Sequence, residues 1–192
     1  MRKIRIFEHT SLDGVISPDK RNEGDDFANG GWTAPYRTAA GAEALAEVQG
    51  SSFDLLLGRR TYDVWADYWP KITSGPFAKG INAATKYVAT HRPESLGWGP
   101  VGDLGTDVMA GVRRLQSTDG PDLIVWGSST LTSVLLEQGL VDEVVLIVYP
   151  VLLGAFVTAG SAVTKRRCRE KNKTSTSAHF EITPQPQFST PA

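Results

Sequence analysis

The sequence predicts an α/β domain built on a mainly parallel sheet. Two observations support this class. Short β-rich runs alternate along the chain with segments of helical periodicity, and the helical segments are long enough to connect parallel strands. The chain has 192 residues, an ordinary size for one domain. We therefore expect a single domain over residues 1–183, followed by a disordered tail over residues 184–192, where prolines and small polar residues prevail.

The predicted strands are apolar and β-branched runs that end at glycine, proline or polar residues. In chain order they are Ile4–Phe7, Phe53–Leu57, Lys86–Ala89, Asp122–Trp126, Asp142–Tyr149 and a last strand within Lys173–Ile182. Ser11–Asn29 is rich in Gly, Asp and Asn, which predicts a loop after the first strand.

The helices are predicted from periodicity and from their end signals. Tyr62, Trp65, Ala66 and Trp69 recur at the spacing of one helix face, and Pro70 ends that helix. The other predicted helices are Tyr36–Gln49, Asp107–Gln116 and Leu131–Gln138, the last with Gly139 as its C-terminal cap.

Composition favours a cytoplasmic protein that binds no metal. Cys168 is the single cysteine, so it can form neither an internal disulfide nor a thiolate metal site. The histidines His9, His91 and His179 are far apart and lack metal-ligand spacing. The chain shows neither the apolar run of a signal peptide nor a stretch long enough to span a membrane.

Charge is unevenly distributed along the chain. Residues 1–154 carry a net charge of −5 and residues 155–192 a net charge of +4. The basic run at residues 165–169 is compatible with nucleic-acid binding, but a solvated loop or tail is the simpler interpretation. Because the formal net charge of the whole chain is −1, we expect no nucleic-acid partner.

Two strand-to-helix junctions carry the pattern of an anion site. One comprises Gly58, Arg59, Arg60 and Thr61, and the other comprises Gly127, Ser128, Ser129 and Thr130. At such a junction the first helical N–H groups lack internal partners, and the helix dipole adds partial positive charge. Each junction alone can be only a turn. Two in one sheet, with paired arginines at the first, predict a phosphorylated nucleotide ligand.

Two more strand ends hold polar groups. Thr90, His91 and Arg92 follow a predicted strand, and cationic groups there favour a 2′-phosphate, hence NADP over NAD; the alternative is a solvated loop. After the first strand, Asp13-Gly14 is a turn signal, and its simplest reading is a turn. Its carboxylate is nevertheless placed to supply or relay a proton, so Asp13 is the candidate catalytic residue.

These elements, in this order, resemble the dihydrofolate-reductase-like family, in particular its branch similar to the reductase domain of bacterial riboflavin biosynthesis. The matching motifs are Ser11-Leu12-Asp13-Gly14, Gly58-Arg59-Arg60-Thr61-Tyr62, Lys86-Tyr87-Val88-Ala89-Thr90, Val125-Trp126-Gly127-Ser128-Ser129-Thr130-Leu131, and Asp142-Glu143 leading to Tyr149-Pro150-Val151-Leu152-Leu153-Gly154. They cover about residues 2–154. The resemblance implies a mixed sheet flanked by helices and ending in an antiparallel hairpin, and often a homodimer.

The resemblance also implies NADPH as hydride donor and assigns roles along it. Gly58, Arg59 and Thr61 would hold cofactor phosphates, and Thr90, His91 and Arg92 would lie by the adenosine 2′-phosphate. Gly127, Ser128 and Ser129 would contact the pyrophosphate and the nicotinamide side, and Val15 and Ile16 would pack near the nicotinamide ring. The substrate would be a small heterocycle, such as a pteridine or a pyrimidine like 5-amino-6-ribosylaminouracil. The alternative is a non-catalytic NADP(H)-binding protein.

Two regions depart from the family pattern. Residues 31–36 hold no clear counterpart of the acidic residue that dihydrofolate reductases use for the pterin, which argues against folate reduction. Trp32 and Tyr36 would instead stack on a flat heterocycle, unless they belong to the core. After Gly154, residues 155–172 lack the family's glycine loop and aromatic residue.

Overall fold

Seven strands form a single sheet in the computed structural model, which describes residues 1–16, 31–153 and 176–181. The strands are β1 (Ile4–Ser11), β2 (Phe53–Gly58), β3 (Lys86–Ala89), β4 (Val101–Gly102), β5 (Asp122–Trp126), β6 (Glu143–Tyr149) and β7 (Thr176–Glu181). Their order across the sheet is β4-β3-β2-β5-β1-β6-β7. All neighbouring strands are parallel except β6 and β7, which are antiparallel.

Five helices cover the two faces of the sheet within the described ranges. They are α1 (Ala39–Gln49), α2 (Arg59–Tyr68), α3 (Pro76–Ala83), α4 (Val108–Ser117) and α5 (Ser129–Glu137). Helices α1, α2 and α3 pack on one face, in a cluster that includes Tyr62 and Ile81. Helices α4 and α5 pack on the other face, through Val112 and Leu135. The domain therefore has two cores, one on each side of the sheet.

The central strands are apolar on both faces because helices cover both. In β2, Leu55, Leu56 and Leu57 are fully buried, and β5 buries Leu123–Trp126. This continuous burial is typical of parallel strands inside an α/β sandwich. It explains why these runs show no alternation in the sequence.

The chain connections diverge between β5 and β1. From β1 the chain passes over one face, through α1, toward β2; from β5 it passes over the other face, through α5, toward β6. Since the two crossovers leave in opposite directions, they open a crevice at the carboxyl ends of these neighbouring strands. Such a switch point is where open α/β sheets bind ligands.

Strand register brings five loops to this edge. Phe7 pairs with Trp126, Ser11 with Tyr149, and Gly58 with Ala89. Because these strands are parallel, the residues that follow β1, β2, β3, β5 and β6 all emerge on the same side of the sheet. The fold therefore gathers every loop that the sequence marked as chemically interesting.

The predicted fold class is confirmed, with several corrections to element boundaries. Strand β1 continues to Ser11 rather than ending at Phe7, because residues 8–11 pair with β6. Helix α1 begins at Ala39 rather than Tyr36, since the Thr38 hydroxyl accepts the Gly41 N–H and caps the helix there. Tyr36 instead closes a short 3-10 turn.

Two elements were not predicted, and some predictions fall on residues outside the described ranges. Helix α3 and the two-residue strand β4 were missed.

The predicted C-terminal cap of α5 is confirmed at Gly139. Its φ is +63°, and the N–H groups of Gly139 and Leu140 donate to the carbonyl oxygens of Leu136 and Leu135. The last strand was expected within Lys173–Ile182 and is β7. Its antiparallel pairing agrees with the expected hairpin, but the connection before it lies outside the described residues, as do the basic run and the tail over 184–192.

Candidate functional site

The β2–α2 junction presents a helix N-terminus without a side-chain cap. Gly58 occupies the N-cap position with extended backbone, and it has no side chain to accept the first helical N–H groups. Helix α4, by contrast, is capped by the Asp107 carboxylate, which accepts the Ala110 N–H at 3.0 Å. The unpaired donors at the start of α2, together with the dipole, suit a negatively charged oxygen.

The β5–α5 junction has the same property and a more constrained backbone. Gly127 has a φ of +55°, and Ser128 adopts left-handed angles of +55° and +43°. No side chain caps α5. A left-handed non-glycine residue is costly, so it persists where surrounding contacts hold it in place.

Those contacts join the two junctions directly. The Gly58 N–H donates to the Ser128 hydroxyl oxygen at 2.9 Å, and the Ser128 N–H donates to the Thr61 hydroxyl oxygen at 3.2 Å. The two hydroxyl groups are 3.0 Å apart, and the Ser128 hydroxyl also reaches the Trp126 carbonyl at 3.1 Å. A Cβ at position 58 would lie only 3.3 Å from the Ser128 Cβ, so glycine allows this close approach.

Arg59 connects the first junction to the loop after β3. Its Nε donates to both oxygens of Asp63, at 2.8 and 2.9 Å. Its Nη1 donates to the Ser95 hydroxyl at 2.6 Å and approaches the Thr90 hydroxyl and the Arg92 carbonyl at 3.4 and 3.3 Å. The Nε and Nη1 groups of the predicted phosphate ligand Arg59 thus already have protein partners.

Three other predicted ligands remain available. Arg60, His91 and Arg92 are exposed, and their side chains make no hydrogen bond or ion pair with any described residue. The Thr90 hydroxyl accepts the Arg92 N–H at 3.1 Å and so shapes this strand end. The cationic groups that the sequence placed here therefore surround the β2–β3 end of the edge.

Asp13 anchors the loop after β1. Its Oδ1 accepts the Ser11 hydroxyl at 2.6 Å, and both carboxylate oxygens accept the Leu153 N–H, at 3.0 and 3.2 Å. The Val15 N–H in turn donates to the Ser11 hydroxyl oxygen at 2.9 Å. Val15 and Ile16 are partly exposed on this loop. The geometry gives Asp13 a structural task, and its role in proton transfer stays a prediction.

Trp32 and Tyr36 are both core residues and neighbours of the site. Each is more than nine-tenths buried, and each packs edge-on against Tyr149, with ring centroids 5.2 and 5.8 Å away. Their assignment as substrate-stacking residues also stays a prediction. Their packing shows that they form the wall behind Tyr149.

The sequence reasoning missed a polar pair beside this wall. The Tyr149 hydroxyl lies 2.8 Å from the His9 Nδ1, and the His9 ring stacks on Trp126 at 5.4 Å. Burial, together with the positive charge of Arg37, lowers the pKa of His9 to about 4, and burial raises the pKa of Tyr149. Both groups are therefore neutral near pH 7. The alternation of Phe7, His9 and Ser11 at the end of β1 was the available signal.

Two further buried polar groups lie beneath the crevice. Burial raises the pKa of Glu8 to about 8, although the backbone N–H groups of His9 and Gly127 hydrogen-bond to its carboxyl group and lower it. The Trp126 Nε1–H is buried and has no hydrogen-bond partner in the described part of the chain. An unpaired donor of this kind costs about 1–3 kcal/mol, and such groups often accompany functional sites.

The described residues contain no group of three or more His, Cys, Asp or Glu side chains that could hold a metal ion. Nor do these ranges include a helix with the length and hydropathy to cross a membrane. The arrangement that they do contain is a set of uncapped helix N-termini and exposed cations along the carboxyl edge of a parallel sheet. Fold and site together define an α/β domain with a candidate anion site along the carboxyl edge of its sheet.

The chain belongs to the RibD C-terminal domain family, whose sequence model matches residues 2–180. A putative riboflavin biosynthesis protein from Shewanella sp. PV-4 has a similar structure, with a TM-score of 0.58 and 21% identity over 93% of this chain and 98% of that one. Dihydrofolate reductase from Enterococcus faecalis, solved with NADP(H) and RAB-propyl, gives a TM-score of 0.49 at 14% identity, covering 78% and 72% of the two chains.

A curated relative is the uncharacterized protein YyaP of Bacillus subtilis (strain 168). It is 28% identical over 104 residues, which are 52% of this chain and 55% of that protein. The matched region thus spans about half the length of this relative. The family resemblance inferred from the motifs is confirmed, and membership supports a reductase-like function.

Proposed function

We propose that this protein binds NADPH along the carboxyl edge of its sheet and transfers hydride to a small heterocycle. The observation that carries the proposal is the joined pair of uncapped helix N-termini at Gly58 and Ser128. Two anion sites held at a fixed separation suit a ligand with more than one phosphate. When bound, the cofactor supplies the hydride; the protein supplies orientation and electrostatics.

The phosphate ligands divide into two groups. Backbone N–H groups of residues 59–61 and 129–131 would hold the pyrophosphate, which leaves Thr61 and Ser128 to fix the two turns. Arg60, His91 and Arg92 would hold the 2′-phosphate, because their side chains are exposed and make no other polar contact within the described ranges. Arg59 would act through the loop it anchors rather than through direct contact.

The loop after β1 would line the reactive end. Val15 and Ile16 would pack near the nicotinamide ring, and Asp13 would fix their position through its bonds to Ser11 and Leu153. The substrate, a pteridine or a pyrimidine of the 5-amino-6-ribosylaminouracil type, would enter between this loop and Tyr149. Such a protein would act in the cytoplasm, as a homodimer.

A titration with NADPH and NADH, read by nicotinamide fluorescence, tests the cofactor assignment. The wild-type protein is expected to prefer NADPH. Arg92→Ala removes one charge-assisted contact and should weaken NADPH binding about 10- to 100-fold, with little effect on NADH. Arg113→Ala is the matched control, since Arg113 lies on α4 and donates to Gln138 at 2.6 Å. Equal binding of both nucleotides by wild type would contradict the proposal.

A non-catalytic NADP(H)-binding protein is the second candidate. It is favoured by the neutral character of the His9–Tyr149 pair at the end of the crevice, because a neutral imidazole and a phenol are weak proton donors. Single-turnover mixing of the NADPH complex with oxidised pteridines and pyrimidines separates the two candidates. Loss of nicotinamide absorbance with any of them establishes a reductase, whereas tight binding without consumption across the set favours the binding protein.

A further inference from the structure

Glu8 is a buried carboxyl group on the face of β1 that points away from the His9–Tyr149 pair. It is 9% exposed, and Ile4 and Ile6, which share its face of the strand, belong to the core beneath α4 and α5. Within the described ranges its carboxyl group has no ion-pair partner. Carboxyl groups are seldom buried unless they are paired, so the position of Glu8 calls for a reason other than an ion pair.

The Glu8 carboxyl group joins β1 to the turn between β5 and α5. The backbone N–H groups of His9 and Gly127 hydrogen-bond to it. Gly127 directly precedes Ser128, the N-cap residue of α5, and its carbonyl oxygen accepts the Thr132 hydroxyl at 3.0 Å. The Ser128 contacts with the β2–α2 junction hold the same turn from the other side. Glu8 is therefore the side chain of β1 that positions the start of α5.

An ionised Glu8 would compete with a phosphate for the start of α5. The helix dipole places partial positive charge there, and a carboxylate bonded to the Gly127 N–H would repel an anion held by the N–H groups of residues 129–131. A protonated carboxyl group still accepts the Gly127 N–H through its carbonyl oxygen but carries no charge. Burial favours this neutral form and raises the pKa of Glu8 to about 8.

The elements around Glu8 offer its carboxyl group no opposite charge in the described part of the chain. On α5 the charged residue is Glu137, at the far end of the helix, and on β5 it is Asp122, at the far end of the strand. On β6, Glu143 pairs with Arg5. The charged residues at and within α4 are exposed: Asp107, Arg113 and Arg114. The ionisation of Glu8 thus depends on its burial, on two backbone N–H groups and on what binds at α5.

We propose that Glu8 is a positioning residue of the nucleotide site: as a neutral acid it holds the turn at Gly127, and phosphate binding at α5 requires it to keep its proton. This inference rests on the proposed function and adds a proton linkage to it. Since nucleotide binding and ionisation of Glu8 oppose each other, the nucleotide affinity should be constant below the pKa of Glu8 and fall above it. By the same linkage, binding above that pKa should take up a proton.

NADPH titrations at pH 7, 8 and 9, read by nicotinamide fluorescence, test the inference. With a pKa of about 8 in the free protein, wild type should bind about tenfold more weakly at pH 9 than at pH 7. Glu8→Gln keeps the acceptor but cannot ionise, so its profile should be flat, and at pH 9 it should bind about tenfold more tightly than wild type. Glu137→Gln, at an exposed residue of α5, is the matched control and should follow the wild-type profile. His91 and Lys86 are common to all three proteins, so their titration affects all three profiles alike.

Proton uptake gives a second measurement that depends on no variant being correctly folded. In a weak buffer at pH 8.5 with an indicator dye, addition of NADPH to wild type should take up about half a proton or more per chain. Glu8→Gln should take up none, and Glu8→Leu, which lacks the acceptor as well, should bind NADPH more weakly at every pH.

Two results overturn the inference alone. One is wild-type affinity that is the same at pH 7 and pH 9, with no proton uptake. The other is a Glu8→Gln affinity that falls with pH as steeply as that of wild type. Failure of the proposed function is seen separately, as absence of NADPH binding by wild type at pH 7, and that result overturns both.

Discussion

Replacing Ser128 by alanine should destabilise the domain and disconnect the two candidate anion sites. The hydroxyl accepts the Gly58 N–H at 2.9 Å and contacts the Thr61 hydroxyl and the Trp126 carbonyl at 3.0 and 3.1 Å. Each lost neutral hydrogen bond costs about 1 kcal/mol, and the partly buried Gly58 N–H is left without this partner. Ser128→Ala is thus expected to lower the free energy of unfolding by about 2–3 kcal/mol.

Urea denaturation and NADPH titration of the same variant measure both effects. Cofactor affinity should fall about tenfold, since the helix N-termini lose their fixed separation. Ser128→Gly loses the same hydroxyl but relieves the left-handed backbone, so it should be about 1 kcal/mol less destabilising than Ser128→Ala. Ser133→Ala, at an exposed α5 serine that bonds Ser129, should change little. A Ser128→Ala protein with wild-type stability and affinity would refute the reasoning.

Three further outcomes are expected. Gly111→Ala should lower the free energy of unfolding by about 2 kcal/mol or more in urea denaturation, because its Cβ would lie 1.9 Å from the Leu104 carbonyl oxygen. Gly97→Ala is the matched control, since Gly97 is exposed and a Cβ there meets no described atom within 4 Å. Burial raises the pKa of Glu8 from 4.5 to about 8, so between these values the folded state holds a proton that the unfolded state releases. The stability of the wild-type protein should therefore fall as the pH rises from 6.5 to 8. Glu8→Gln should flatten that dependence in thermal melts. Asp13→Asn should lower stability through its weakened bond to the Leu153 N–H; if it leaves turnover of an identified substrate intact, Asp13 is not the proton relay.

The pH window in which Glu8 can be observed is limited by two other groups with shifted pKa values, His9 and Lys86. Burial lowers the pKa of His9 from 6.5 to about 4, so the unfolded state binds the extra proton between those values and stability rises with pH there. The two residues oppose each other between pH 4.5 and 6.5. Burial lowers the pKa of Lys86 from 10.5 to about 8, so its contribution begins above the window. A wild-type stability that is flat from pH 6.5 to 8 would show that Glu8 does not titrate there.

Local sequence signals predicted the helices and strands that are determined by their own residues rather than by distant contacts. Strand β5 is a continuous apolar run ended by glycine, and its identification needs no distant contact. Helix α3 was missed because its eight residues start at Pro76 and include Gly80, which weaken any periodic signal. Strand β4 has only two residues, and the sheet alone defines it through pairing with β3.

The residues of the candidate site also divide into those that a local pattern predicts and those that only long-range contacts bring together. Gly58 and Gly127 could be recognised because a strand-to-helix turn leaves a short-range signature. The contact between Gly58 and Ser128 spans 70 residues, and that between His9 and Tyr149 spans 140. Such pairs depend on strand order and register, which one sequence does not reveal. Arg59 and Arg60 read alike in the sequence, yet only the structure separates the anchored arginine from the exposed one.

That separation has a consequence for redesign of this protein. Arg59 links α2 to the loop after β3 through its hydrogen bonds to Asp63 and Ser95. The side chains of Arg60 and Arg92 are exposed and make no such link within the described ranges. Under the proposed function, nucleotide preference can accordingly be altered at the two exposed arginines while the contacts of Arg59 stay intact. In the Arg59-Arg60 pair, redesign should therefore keep Arg59 and vary Arg60.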